Sequence, residues 1–138
     1  MMSPNLDELL CSRYPALFSR RRGSPSVTAM ARGFTCDDGW FPLIDELCAK
    51  LQAAVDSGRI RQPVAQQVKE KFGTLRFYLS DLTPETRAFI DEAEKRSAVT
   101  CEVCGTPGIL RRQRGVQTVY DLHAEPGSSI VPSRLGRL

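Results

Sequence analysis

With a single histidine in its sequence, the chain lacks most of the usual means of acid–base and nucleophilic catalysis. It also lacks G-x-S-x-G, a glycine-rich phosphate loop, H-E-x-x-H, the kinase set, and H-x-E with P-C-x-x-C. These absences predict a protein that is not an enzyme. No apolar run approaches the roughly 18 residues that span a bilayer, and the start Met-Met-Ser-Pro-Asn-Leu-Asp-Glu has neither the basic beginning nor the apolar centre of a secretory signal. The expected location is the cytoplasm. A strong charge of one sign is missing too: the net charge is +3, and residues 35–100 carry nine Lys and Arg against eleven Asp and Glu. That balance does not announce nucleic-acid binding. Five cysteines, an odd number with two of them in C-x-x-C, fit free thiols and a metal site better than a disulfide framework.

The 138 residues suit one α+β domain, expected over 1–125, with an irregular tail at 126–138. Within it, residues 1–34 read as a short helix and a basic loop. Asn5 and Glu8 resemble a capping pair, Tyr14-Pro15 interrupts the helix, and Phe18 to Thr28 is polar and breaker-rich, a surface loop or mobile arm. The core is expected over 35–100 as helix, hairpin, helix. Trp40, Leu43, Ile44, Leu47, Cys48, Leu51, Ala54 and Val55 recur at three- and four-residue steps, which predicts a helix at about 41–57 closed by Gly58. Asp45 and Glu46 are neighbours on that helix, so their side chains diverge and do not make a carboxylate pair. Thr83-Pro84-Glu85 starts a second helix, expected over 84–97.

Between the helices, Val64, Val68 and Phe72 share one parity, and Leu75, Phe77 and Leu79 share another across Gly73. This is a β-hairpin at about 63–80 with one apolar face to be covered by the helices. The predicted buried set is Trp40, Leu43, Leu47, Leu51, Phe72, Leu75, Phe77 and Phe89. The run Lys69-Glu70-Lys71-Phe72-Gly73-Thr74-Leu75-Arg76-Phe77-Tyr78, the earlier Gly33-Phe34-Thr35-Cys36-Asp37-Asp38-Gly39-Trp40, and the later Cys101-Glu102-Val103-Cys104-Gly105 together resemble a family of small phage and prophage proteins of uncharacterised function. The resemblance covers roughly 14–123 and implies a phage-type accessory protein in a bacterial host cell.

Cys101-Glu102-Val103-Cys104-Gly105 looks like a zinc knuckle, with a second short hairpin expected at 109–120 about Gly115. His123 follows where a further ligand is wanted. The resemblance implies completion by C-x-x-H, but Tyr120 stands where the cysteine would be. Cys101, Cys104 and His123 thus supply three ligands of four, with Asp121, a water, or Cys36 and Cys48 as candidates for the last. Cys36 and Cys48 otherwise read as small buried residues. Bound zinc and a metal-free remnant held by hydrophobic packing are the two readings, and substoichiometric zinc or none is expected unless a fourth ligand is recruited. Two functions follow. One is an accessory protein that binds a host protein complex, such as an inhibitor of a bacterial defence system of the anti-CRISPR kind, through Arg20, Arg21, Arg22, Arg111, Arg112 and Arg114. The other is a zinc-knuckle nucleic-acid-binding module with a regulatory role, using Arg111, Arg112 and Arg114 on phosphates.

Overall fold

The computed structural model describes residues 1–113 and 115–132; Arg114 and the tail from 133 onward lie outside the described residues. Pro4 occupies the first turn of helix α1 (Pro4–Arg13), where a missing N–H costs nothing, and Ser3 rather than Asn5 is the cap residue. Ser3 makes no side-chain cap; its own N–H donates to Asp38 Oδ1 at 2.6 Å, so the helix start is tied to the turn before the next helix. Strand β1 (Phe34–Thr35) leads through a tight turn at Asp38–Trp40 into α2 (Phe41–Asp56). The hairpin strands β2 (Ala65–Lys71) and β3 (Thr74–Leu79) come next, followed by α3 (Pro84–Ser97). A second unit contains β4 (Ile109–Gln113), β5 (Gly115–Val119) and β6 (Ser129–Ile130).

The architecture is α+β, and the described residues form two three-stranded sheets ordered β1-β2-β3 and β5-β4-β6. The expected hairpin is present and gains a third strand, because β1 pairs parallel to β2 with Phe34 opposite Val68. Buried side chains alternate on β3 as the sequence predicts, at Leu75, Phe77 and Leu79. On β2 the parity changes. A bulge between Ala65 and Gln67 turns both Ala65 and Val68 inward and leaves Val64 half-buried.

Helix α2 contributes Leu43, Ile44, Leu47, Cys48, Leu51 and Ala54 to the core, each worth about 1.5–3 kcal/mol for the larger apolar side chains. Helix α3 begins with a reciprocal cap in which Thr83 and Thr86 each bond the other's backbone. At its far end Ser97 is fully buried: its Oγ accepts from Leu75 N–H at 2.9 Å and donates to the Glu94 carbonyl. That bond satisfies a donor on the edge strand β3 and fixes the helix over the sheet.

Four further expectations need correction. Residues 18–28 are not a loose arm at their start, since Leu17 and Phe18 are buried and Phe18 meets Phe34 edge-to-face at 5.0 Å. Phe72 is not in the core but 69% exposed, because it occupies the hairpin turn rather than a strand. Phe89 is only partly buried and packs on the core's edge. The tail is not wholly irregular, as Ser129 and Ile130 pair with Arg112 and Arg111 on β4.

Candidate metal centre

The knuckle is built by a chain reversal that its sequence prescribes. Gly105 adopts φ of 82°, a conformation that side chains with a Cβ resist, and its N–H donates to the Cys101 carbonyl at 2.9 Å. Cys101 N–H donates to the Thr106 carbonyl at 2.7 Å, closing the turn from the other side. On the far side of the β4–β5 hairpin, a single 3₁₀ turn at Asp121–His123 brings the imidazole back to the thiols.

Cys101 Sγ lies 3.6 Å from His123 Nδ1, and the ligand atoms of Cys101, Cys104 and His123 all fall within 4.8 Å of one another. Zinc bonds of about 2.3 Å to sulfur and about 2.1 Å to nitrogen place tetrahedral ligand atoms about 3.6 Å apart, so the donor set fits a zinc ion in chemistry and in spacing. The cluster could hold a metal ion. Cys101 is buried, while Cys104 and His123 are exposed.

None of the sequence candidates for a fourth protein ligand joins this group among the described residues. Asp121 instead pairs with Arg111, and Cys36 and Cys48 are buried in the main core. Burial pushes the thiols of Cys36 and Cys48 far up, the first helped by Glu102 and Asp37 and the second by Asp45. Burial, with Asp7 beside it, also moves Cys11 up to about 11. Cys104 is shifted the other way: its sulfur lies 2.9 Å from the Thr106 hydroxyl, and that hydrogen bond favours the thiolate. Iodoacetamide at mildly alkaline pH should therefore label Cys104 first and leave Cys36 and Cys48 intact until denaturant is added. Mass mapping of the alkylated peptides checks this, and equal labelling of all five thiols would contradict the burial pattern.

A network that the sequence does not reveal joins the knuckle to the core. Gly39 N–H donates to the Glu102 carbonyl at 2.7 Å, Trp40 Nε1–H donates to the Thr100 carbonyl at 2.9 Å, and Asp37 N–H donates to Glu102 Oε2 at 3.0 Å. Glu102 is 5% exposed, and burial together with nearby Asp37 raises its pKa. Linkage gives the sign. Its contribution to stability is present below the ordinary value of 4.5 and is lost as pH rises through the folded-state value.

The two arginine groups are divided by the fold. Arg21 is braced internally: its Nε and Nη2 fork onto Asp7 at 3.1 and 3.0 Å, and Nη1 donates to the Ala31 carbonyl. Arg111 is 12% exposed and turned onto Asp121. Arg20, Arg22 and Arg112 are exposed, and Arg114 lies outside the described residues. Asp7 and Ala31 were not anticipated as partners, since no local spacing links them to Arg21. No helix of the described residues is long and apolar enough to cross a membrane. No family model, curated protein or solved structure matches the chain.

Proposed function

We propose that this protein works by binding rather than by catalysis, as a zinc-stapled module that docks on a protein partner. The reading is carried by the position of the Cys101, Cys104 and His123 cluster, which sits where two chain segments meet at the base of the β4–β5 hairpin. Neither the groove beside Phe72 nor the one between α1 and Arg21 is lined by any of the three. A metal there would fasten the second sheet rather than face a substrate cavity. Zinc held by two thiolates and an imidazole, with a water as the remaining ligand, would supply cross-linking to the fold. The resemblance to phage and prophage proteins supports a partner in the bacterial host, with inhibition of a defence complex of the anti-CRISPR kind as one concrete form.

Zinc added in excess is expected to raise the melting temperature and to protect Cys104 from alkylation, because a ligand at 100 times its Kd stabilises the fold by about 2.7 kcal/mol. Cys101→Ser should abolish both effects. Tyr120→Cys, at the head of the turn that carries His123, should tighten zinc binding. An unchanged melt and unchanged Cys104 labelling would remove the staple. For the partner, the immobilised full chain is exposed to host lysate and the retained proteins are identified by mass spectrometry. Salt-sensitive retention of random DNA or RNA with no protein captured would favour the nucleic-acid reading instead.

A further inference from the structure

Phe72 stands in an unusual place for a phenylalanine. Its φ is 54° and that of Gly73 is 85°, the pair of positive values that two-residue hairpin turns of type I′ require. Asparagine or glycine occupies the first of these positions with little strain, whereas a bulky aromatic residue is strained there. The ring does not repay that strain by packing, being 69% exposed. It forms one wall of a groove of about 500 Å³ between the hairpin tip, the end of α3 and the face of the second sheet. Leu110, Val116 and Val131 line the apolar part, and Glu94 and Arg112 the polar part.

Charge identifies the occupant. Glu94 is neutralised by Arg76, while Arg112 and Lys71, whose ammonium lies 5.6 Å from the Phe72 ring centre, have no carboxylate partner among the described residues. The groove is therefore largely apolar with one uncompensated cation, Arg112, in its lining and a second, Lys71, against the ring of its Phe72 wall. We propose that this groove binds a short segment of a protein partner that carries a bulky apolar residue flanked by aspartate or glutamate. The proposal rests on the protein-binding reading above and names the surface and the chemistry of the partner. The apolar residue fills the space between Phe72 and Val116, and the flanking carboxylates reach Arg112 and Lys71. A nucleic-acid strand fits less well, because the aliphatic walls of Leu110, Val116 and Val131 offer no second stacking plane.

The test uses a displayed library of random short peptides selected on the immobilised full chain. Enriched peptides should combine acidic residues with a bulky apolar one, and Phe72→Asn should weaken them by at least about tenfold in fluorescence anisotropy. Arg112→Glu should weaken them and reduce their salt dependence. Because asparagine accepts the turn conformation, Phe72→Asn should melt no lower than wild type, so a loss of binding is not a loss of fold. No enrichment, or enriched peptides that bind Phe72→Asn with undiminished affinity, would overturn the proposal. So would a labelled oligothymidine bound by wild type and lost in Phe72→Asn, or a concentration-dependent dimer that the same variant abolishes. Host proteins captured equally by wild type and Phe72→Asn would refute the groove while leaving the general protein-binding reading standing. Capture of nothing by wild type would count against the general reading instead.

Discussion

Replacing Gly39 by alanine is expected to lower the unfolding free energy by about 3 kcal/mol or more, and to open Cys101 to alkylation in native buffer. A Cβ at Gly39 would lie 2.2 Å from the Cys101 carbonyl oxygen and 2.5 Å from that of Glu102, both backbone atoms that cannot rotate away. Gly39 has no positive φ, so the penalty arises from the contact and not from backbone strain. Relief requires one side to move. The α2 side is anchored by Trp40, which is fully buried, so the knuckle turn at 101–105 is the side that yields. Gly105 makes the fit tighter, since its own Cβ would stand 3.0 Å from the Gly39 carbonyl. Gly58→Ala is the matching control: it has φ of 78° with nothing within 4 Å, so only strain of about 1 kcal/mol is expected. Urea unfolding of both variants separates the two causes. The chain has one tryptophan, and its fluorescence reports the same junction. A Gly39→Ala variant that melts with wild type and keeps Cys101 protected would show that the knuckle does not pack on this turn.

The helices were legible in the sequence because their signals are local. Leu43, Ile44, Leu47, Cys48 and Leu51 repeat with the helical period, and Thr83-Pro84 marks a helix start by chemistry alone. The buried part of residues 1–34 was not legible. Leu10, Leu17, Phe18, Met30 and Phe34 share no period, and they converge only because turns between α1 and β1 fold them onto the hairpin. Phe72 was misplaced for a related reason: alternation continues numerically into a turn that has already left the strand. At the metal cluster, Cys101 and Cys104 are a local motif, whereas His123, expected from the resemblance, reaches them only through a return of the chain that spacing alone does not supply. The bond from Arg21 to Asp7 is equally non-local, and it withdraws one arginine of a triplet that looked uniformly free.

Trp40 joins the part of the fold that was legible to the part that was not, and truncating it to alanine is expected to cost about 3–5 kcal/mol. Its side chain is fully buried in the main core, and its indole N–H is the bond to Thr100 that holds the chain after α3 against the start of α2. A domain of this size has about 5–15 kcal/mol in all, so Trp40→Ala should be partly unfolded at physiological temperature at the lower end of that range. Trp40→Phe separates the two contributions. It retains most of the packing but removes the donor of a part-buried bond to the Thr100 carbonyl, which costs about 1 kcal/mol. Circular dichroism during urea unfolding gives both midpoints, and Cys101 alkylation reads the junction directly. The phenylalanine variant should show a moderately lowered midpoint with Cys101 exchanging faster than Cys48, which lies deep in the main core. Equal acceleration at both thiols would mean that Trp40 supports the core as a whole and does not specifically fasten the knuckle. A midpoint indistinguishable from wild type would mean that the Thr100 carbonyl finds another donor, and the indole bond would then lose its role in joining the two units.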